Sequence, residues 1–381
     1  MVFWAGMDEA NVLIVGGGVV GCAIAEALSR RWQDVFLVEQ YPKLGMATSS
    51  RNNGVIHSGI YYPKNSLKAR LCVEGNRLTK EFCARHNVPH RTTGKLVVAK
   101  TKEEEPALLA LQKKGEGNGV EGLQILDAHR IGAKEPNVHG YAALHVPSTG
   151  ICSSEELVRA FARIAEHQGA NLLTHAKVEA LEPGKNSVCV KLRIGNQEDS
   201  ESESVEARCV INAAGLYADE VAKMLGPRPW TIYPVRGEYC EVRGPRAELV
   251  RNLVYPLPHE DGLSLGLHFT KTLWGTLLLG PTARYVDGKE NYERGRVGVG
   301  EFAADAKTMV TEITERDLQL AYSGLRPKLV PPGGHGIADF VIQPDGSVPQ
   351  VIHLVGIESP GLTAAPAIAQ HVTNLVSEVL D

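Results

Sequence analysis

The run Asn11-Val12-Leu13-Ile14-Val15-Gly16-Gly17-Gly18-Val19-Val20-Gly21 decides the fold of this chain. Its apolar first half reads as a short buried strand, and the glycines that end it read as a tight turn. Beyond the turn, Val20, Ile24, Ala27 and Leu28 recur at helical spacing within Val19 to Arg30, and Val35-Phe36-Leu37-Val38 is a second apolar run that ends on Glu39. Strand, helix and strand over so short a stretch make a βαβ unit, whose parallel sheet needs helices on its faces. The fold class is therefore α/β, with α+β character overall.

Gly16-x-Gly18-x-x-Gly21 stands between that strand and helix, where a dinucleotide requires it. The first glycine permits the turn, the second lets backbone approach a pyrophosphate, and the third lets the helix lie close to the strand. Val19 and Val20 open the helix, whose N-terminus faces the phosphates. Glu39, eighteen residues past Gly21, is placed to accept hydrogen bonds from the adenosine ribose, with Gln40 beside it. Its charge disfavours a 2′-phosphate. Dinucleotide binding follows, with FAD and NAD both open.

The 381 residues, 43% hydrophobic, suffice for a large core and divide more naturally into two domains than one. Lys and Arg number 40 against 44 Asp and Glu, a net charge of −4, and no basic run is long enough to track a phosphate backbone. Nucleic acid is thereby excluded as a partner. Cys22, Cys72, Cys83, Cys152, Cys189, Cys209 and Cys240 show no metal-ligand spacing; they read as reduced thiols, and no metal site is expected. The opening MVFWAGMDEA lacks the basic and apolar segments of a secretory signal, and no apolar run is long enough to span a bilayer. A cytoplasmic location is expected, and peripheral membrane contact is compatible with the sequence.

Further helices are expected over Leu67–His86, Glu155–Gln168, Glu301–Leu320 and Thr363–Val379, and from Tyr217 onward. Strands are expected over Lys95–Ala99, Asn171–Leu181, Ser187–Ile194, Cys209–Ala213 and Val351–Val355, with Tyr233–Val242, Leu263–Thr270 and Leu273–Leu279 forming a second sheet. The acidic, serine-rich stretch Gln197–Val205 reads as a solvated hairpin tip, and Tyr285–Gly300 as a polar surface excursion. Two segments far from Gly16 favour a flavin. Val210–Gly215 is an apolar strand ending in Ala213, Ala214 and Gly215, small enough for backbone to lie against a cofactor. Gly356–Thr363 is a strand-to-helix turn, and the helix start at Gly361, Leu362 and Thr363 offers N–H groups to the negative charge a reduced flavin gathers.

Arg51-Asn52-Asn53-Gly54-Val55-Ile56-His57-Ser58-Gly59-Ile60-Tyr61-Tyr62, followed by Ser66-Leu67-Lys68-Ala69-Arg70-Leu71-Cys72, resembles the signature of the L-2-hydroxyglutarate dehydrogenases and oxidases, FAD enzymes of the D-amino-acid-oxidase superfamily. The likeness continues through Thr93–Leu96, Thr149–Ile151, Ala213–Tyr217, Leu267–Thr270 and Leu279–Pro281, nearly the whole chain. It implies a Rossmann-type FAD-binding domain, discontinuous in sequence (1–87, 145–225 and 335–381), and a substrate domain (88–144 and 226–334) on a mixed, largely antiparallel sheet. The polar loop Thr48, Ser49, Ser50, Arg51, Asn52, Asn53 and Gly54 follows the ribose-binding strand and is expected to reach the pyrophosphate and the flavin edge; Val178 joins the cofactor set.

The resemblance further implies oxidation of an L-2-hydroxy acid, L-2-hydroxyglutarate above all, to the 2-oxo acid, with hydride passing to flavin N5. That chemistry needs a base for the hydroxyl proton and a cation for the carboxylate. His57, in a glycine-flanked loop, and His268, in Gly266–Thr270, are the two candidate bases, and an imidazole titrating near 6.5 suits the task. Arg326, in Ser323-Gly324-Leu325-Arg326-Pro327, resembles the arginine that grips substrate carboxylate in amino-acid oxidases, through a planar fork that makes two parallel bonds. Tyr61, Tyr62, Arg236 and Lys271 are expected around a second carboxylate. Oxygen, a quinone and an electron-transfer flavoprotein all stand open as acceptor. The rival readings are an amine oxidase of the glycine or sarcosine oxidase type and a dinucleotide-binding regulatory protein without turnover.

Overall fold

The computed structural model describes residues 9–195, 200–258 and 264–381. Expectations that touch residues 1–8, Gln197 and Leu263 lie outside them. The chain divides into two compact units, one of residues 1–50, 154–232 and 340–381, the other of 51–153 and 233–339. Residues 51–87 and 145–153, expected with the dinucleotide domain, pack with the second unit: Val55–Ile56, His90–Thr92 and Gly150–Cys152 form one small sheet there.

In the first unit, Glu9–Val15 lies at the centre of a sheet, parallel to Val35–Val38 on one side and to Glu201–Asn212 on the other. Asn171–Leu173 extends the parallel sheet beyond Val35–Val38, and Val351–Val355 extends it beyond Asn212. These central strands are apolar on both faces, as a parallel sheet covered by helices demands. Helix Val19–Leu28 packs against Ser154–His167 and Gly361–Leu380, and it buries Cys22, Ala23, Ile24, Ala25 and Leu28. The single strand expected over Asn171–Leu181 is two, Asn171–Leu173 and Ala176–Pro183. The break falls at His175, whose φ of +55° leaves the β region and whose N–H donates to Tyr41. Glu201–Val205, expected at a hairpin tip, is ladder: Glu201–Asn212 pairs antiparallel with Val188–Ile194, and Glu201 to Ser204 are exposed on both faces of the strand.

The second unit is built on a mixed sheet, in which Lys95–Ala99 runs parallel to Leu253–Pro256 and the other pairings are antiparallel. Tyr233–Val242 forms as expected. The strands expected over Leu263–Thr270 and Leu273–Leu279 are shorter, His268–Lys271 and Leu277–Gly280, because Thr272–Gly275 makes the turn that joins them. The helix expected over Glu301–Leu320 stops at Ala306, and Leu318–Lys328 is a strand. Phe302, Ala306, Met309, Val310 and Ile313 are all buried at helical spacing, yet the second half of that pattern is irregular chain ended by a Thr314–Asp317 capping box. Among the described residues no helix is long and apolar enough to cross a membrane.

Candidate active site

The first unit carries a cleft at the carboxyl ends of its central strands. Val15, Gly16 and Gly18 line it, with Glu39 and Gln40, Thr48 and Ser49, Val178, Ala214 and Gly215. Gly16 has φ of +108°, and a Cβ there would meet the Ala213 carbonyl oxygen at 2.5 Å. A Cβ on Gly21 would stand 1.9 Å from the Gly16 carbonyl oxygen, so the helix closes on the turn only with glycine at both places. The Glu39 carboxylate accepts hydrogen bonds from the N–H groups of Gly17 (2.7 Å) and Tyr41 (2.9 Å), which aim it along the cleft wall. Burial raises its pKa above the ordinary carboxylate value, and the backbone donors pull the other way. Ser49 accepts from the Val19 N–H at 2.9 Å, placing a hydroxyl at the helix start.

Other expected cofactor residues do not line this cleft. Val19, Val20, Gly21 and Ser50 are not among the residues lining this cleft, nor are Gly361, Leu362 and Thr363. Gly361 donates to the Glu358 carbonyl at 2.5 Å, and Thr363 is fully buried. Arg51, Asn52, Asn53 and Gly54 belong to the second unit. There, Arg51 lies over the Tyr292 ring at 4.3 Å, Asn52 accepts from the Gly54 N–H, and Gly54 accepts from the Cys152 N–H. Tyr41, Lys177 and Tyr217 line the cleft without having been expected as site residues; Tyr217 ends the Ala213–Tyr217 stretch of the resemblance, and nothing in the local sequence marks the other two.

In the second unit, strand alternation selects the functional face. Within His268–Lys271, His268 and Thr270 point one way, Phe269 and Lys271 the other. Asn53 donates to Thr270 at 3.1 Å and its amide nitrogen lies 3.3 Å from His268 Nε2. His268 Nδ1 is 2.9 Å from the Gly266 carbonyl, which can only accept. Nδ1 therefore carries the proton, and Nε2 holds the lone pair that Asn53 donates to. The His268 imidazole also stacks on Tyr255, at 3.7 Å and 14°. Burial, with Lys95 and Arg326 nearby, holds the imidazole pKa down to about 3 against the pull of Gly266. His57 is held down to about 3 as well, by burial first and then by Lys95, His268 and Arg326. Both rings are thus neutral at physiological pH and stand in the field of the same arginine.

Arg326 is half-buried and donates to the Thr282 carbonyl at 3.2 Å. Gly237 makes room for it, since a Cβ there would come within 2.9 Å of both terminal guanidinium nitrogens. The arginine also pulls the Tyr239 phenol back, though burial still pushes that group up to about 12. Its fork keeps capacity for a carboxylate.

Two residues expected around a second carboxylate have other work. Arg236 is 2% exposed and its guanidinium donates to Glu238 (3.0 Å), Asn291, and the carbonyls of Arg294 and Gly295 (2.7 Å each). It fastens residues 291–295 to the sheet, so Tyr285–Gly300 is partly anchored core rather than a free surface excursion. Lys271 lies on the strand face opposite His268 and donates to the Ala247 carbonyl and Glu248. Tyr61 and Tyr62 are buried, and the Tyr61 hydroxyl accepts from Lys95. Lys95, Tyr239 and Tyr255 were missed as site residues. Lys95 lies in the Thr93–Leu96 stretch of the resemblance, which gave it no role, and heads the otherwise apolar run Lys-Leu-Val-Val-Ala.

A glycine turn opening a helix, an acid at the end of the second strand and a cleft at their junction define a dinucleotide-binding protein. This chain belongs to the FAD dependent oxidoreductase family, whose model matches residues 11–375. It is 31% identical to the L-2-hydroxyglutarate dehydrogenase of Escherichia coli K12, over 97% of this chain and 94% of that protein. To the mitochondrial L-2-hydroxyglutarate dehydrogenase of Homo sapiens it is also 31% identical, over 98% and 90%. Among solved structures, dithionite-reduced L-alpha-glycerophosphate oxidase from Mycoplasma pneumoniae with FAD bound matches with a TM-score of 0.86 at 28% identity, over 97% of this chain and 95% of that one. Glycine oxidase from Geobacillus kaustophilus matches at 0.80 and 22% identity, over 97% and 95%, a likeness of fold alone. The protein is an FAD-dependent oxidoreductase, and its glycine turn, Glu39 and the small residues at 213–215 fit that cofactor.

Proposed function

We propose that this enzyme oxidises an L-2-hydroxy acid, with L-2-hydroxyglutarate as substrate, to the 2-oxo acid. In this reading the glycine turn, Glu39 and the small residues at 213–215 hold FAD, and His57 or His268 and Arg326 act on the substrate. The observation that carries it is His268, buried with its Nδ1 proton on the Gly266 carbonyl and its Nε2 lone pair facing Asn53. The full-length likeness to L-2-hydroxyglutarate dehydrogenases supports the choice of hydroxy acid.

Bound FAD supplies the two-electron acceptor. The Arg326 fork pairs with the substrate carboxylate and fixes which face of the α-carbon is presented. A neutral imidazole then takes the hydroxyl proton; in His268 the accepting atom is Nε2, exchanging its Asn53 hydrogen bond for the substrate hydroxyl. Removing that proton makes departure of the α-hydrogen with its electron pair favourable.

A substrate panel under turnover tests the proposal, with L- and D-2-hydroxyglutarate, lactate, glycerol 3-phosphate, glycine and sarcosine compared by kcat/KM. Oxygen, a soluble quinone and an electron-transfer flavoprotein are compared as acceptors in parallel arms. L-2-hydroxyglutarate should lead the panel; preference for glycine or sarcosine would replace the reading with amine oxidation.

A further inference from the structure

A buried chain of hydrogen bonds running from Asp345 through His353 to Asn212 ends on the wall of the cofactor cleft. Asn212 and His353 stand opposite each other on the parallel strands Glu201–Asn212 and Val351–Val355, and both are fully buried. Backbone groups leave the Asn212 amide a single orientation. Its nitrogen lies 2.7 Å from the Ala218 carbonyl, which can only accept, and its oxygen lies 3.3 Å from the Ala214 N–H, which can only donate. The same amide nitrogen lies 3.1 Å from His353 Nδ1. Nδ1 is therefore the bare nitrogen, accepting the second amide hydrogen, and Nε2 carries the proton that the Asp345 carboxylate accepts at 3.0 Å. Arg228 and the N–H groups of Ser347 and Val348 donate to that carboxylate in turn. Asn212 thus ties down both ends of the segment 214–218, and Ala214, Gly215, Leu216 and Tyr217 all line the cleft.

We propose that His353 is a positioning residue for FAD: its bare Nδ1 holds the Asn212 amide in the orientation that fastens Ala214 and Ala218, and so sets the wall of the cofactor cleft. A second proton, on Nδ1, would face the amide hydrogens. Turning the amide to meet it sets the NH2 group against the Ala214 N–H and the oxygen against the Ala218 carbonyl, so both ties are lost. FAD is therefore held best while His353 is neutral and less tightly once the imidazole is charged. Burial keeps this imidazole below its ordinary value near 6.5, with Asp345 pulling it up and Arg228 pushing it down. Its other neighbours are the edge of the Trp230 ring and, across the ladder from strand Val341–Pro344, the uncharged Gln343. Helix Ala218–Lys223 also packs on its strand and carries Asp219, Glu220 and Lys223; Asp219 accepts from the Ile232 N–H at 3.0 Å and lies 3.6 Å from Lys223.

The test needs no substrate and so stands apart from the hydroxy-acid reading. Nitrogen-labelled histidines of the FAD-loaded enzyme are observed by NMR against pH, with His353→Asn for assignment. Near neutrality His353 should show a protonated Nε2 and a bare Nδ1. Flavin released on dilution of the holoenzyme, read by its fluorescence, should rise as pH falls below about 6.5, in step with the second protonation of His353. His353→Asn can place an amide oxygen that does not titrate where Nδ1 stood; it should hold FAD near native strength and lose that acid step. Protonation of Glu39, which burial favours, also weakens FAD in acid, but equally in both proteins, so their difference isolates the imidazole. His353→Phe keeps a ring and removes the acceptor, and the folded variant should hold FAD about 10–100-fold more weakly at neutral pH. A proton on Nδ1 of the native enzyme at neutrality overturns the proposal, as does equal acid release from native and His353→Asn, or native FAD affinity in folded His353→Phe. Should His353→Phe fail to fold, the first two readouts decide.

Discussion

The Gly266 carbonyl fixes which nitrogen of His268 is basic, and single contacts of this kind separate the residues that act from those that support. His57→Ala and His268→Ala should each keep FAD, and the one that removes the base should slow anaerobic flavin reduction by about 10²–10⁴-fold. Stopped-flow absorbance at the flavin band reads this; equal, native rates in both would remove imidazole from the mechanism. Arg326→Lys loses the paired fork and should lower kcat/KM by about 10–100-fold, mainly through KM. Arg236→Met should act differently, because it takes one of two arginines from the fully buried Glu238 and leaves Arg296 and the Val297 N–H: about 1–3 kcal/mol of stability should go, seen in denaturant melts. His57 and Arg326 stood out in the sequence through the family resemblance of their segments, and His268 through the alternation of its strand. Arg236 and Lys271 were not separable from them until strand parity placed each side chain on a face.

Among the elements, the opening βαβ unit was the most legible, since glycine spacing and apolar periodicity agree there. Its weak point is Gly21, where a Cβ would meet backbone that cannot yield. Gly21→Ala should therefore purify with little flavin per chain, and normal flavin content with normal solubility would contradict this account of the turn. The region 301–320 shows the opposite case. Its buried residues keep a helical period, but irregular chain running along the same core buries the same positions, so the pattern alone does not choose. Lys95 and Tyr255 were hidden for another reason. A lysine heading a strand looks like a solvated end, and only its burial between two rings from distant segments shows otherwise.

At the scale of the molecule, the discontinuous two-unit plan was anticipated, while its boundaries depended on packing that local sequence does not carry. The first unit is closed by a buried network from distant segments: Arg228 pairs with Asp345 through two hydrogen bonds (2.6 and 2.9 Å), and His353 lies 3.0 Å from the same carboxylate. Burial would raise the Asp345 carboxyl, but Arg228, Ser347 and His353 together hold it well below the ordinary range. A depressed folded-state pKa stabilises the fold above the unfolded value near 3.9 and loses that stabilisation as pH falls further. The Tm difference between the native enzyme and Asp345→Asn should be full near neutrality and shrink below about pH 4. A difference that is constant with pH would deny the carboxylate this role.

The central claim is that neutral imidazole and Arg326 serve oxidation of an L-2-hydroxy acid by bound FAD, and a single anaerobic turnover tests it most directly. The purified enzyme is mixed without acceptor with L-2-hydroxyglutarate, and flavin absorbance and 2-oxoglutarate are measured together. The flavin band should bleach with one 2-oxoglutarate formed per flavin, and D-2-hydroxyglutarate should leave it unchanged. A flavin that stays oxidised with the L-acid but bleaches with glycine or sarcosine would contradict the account.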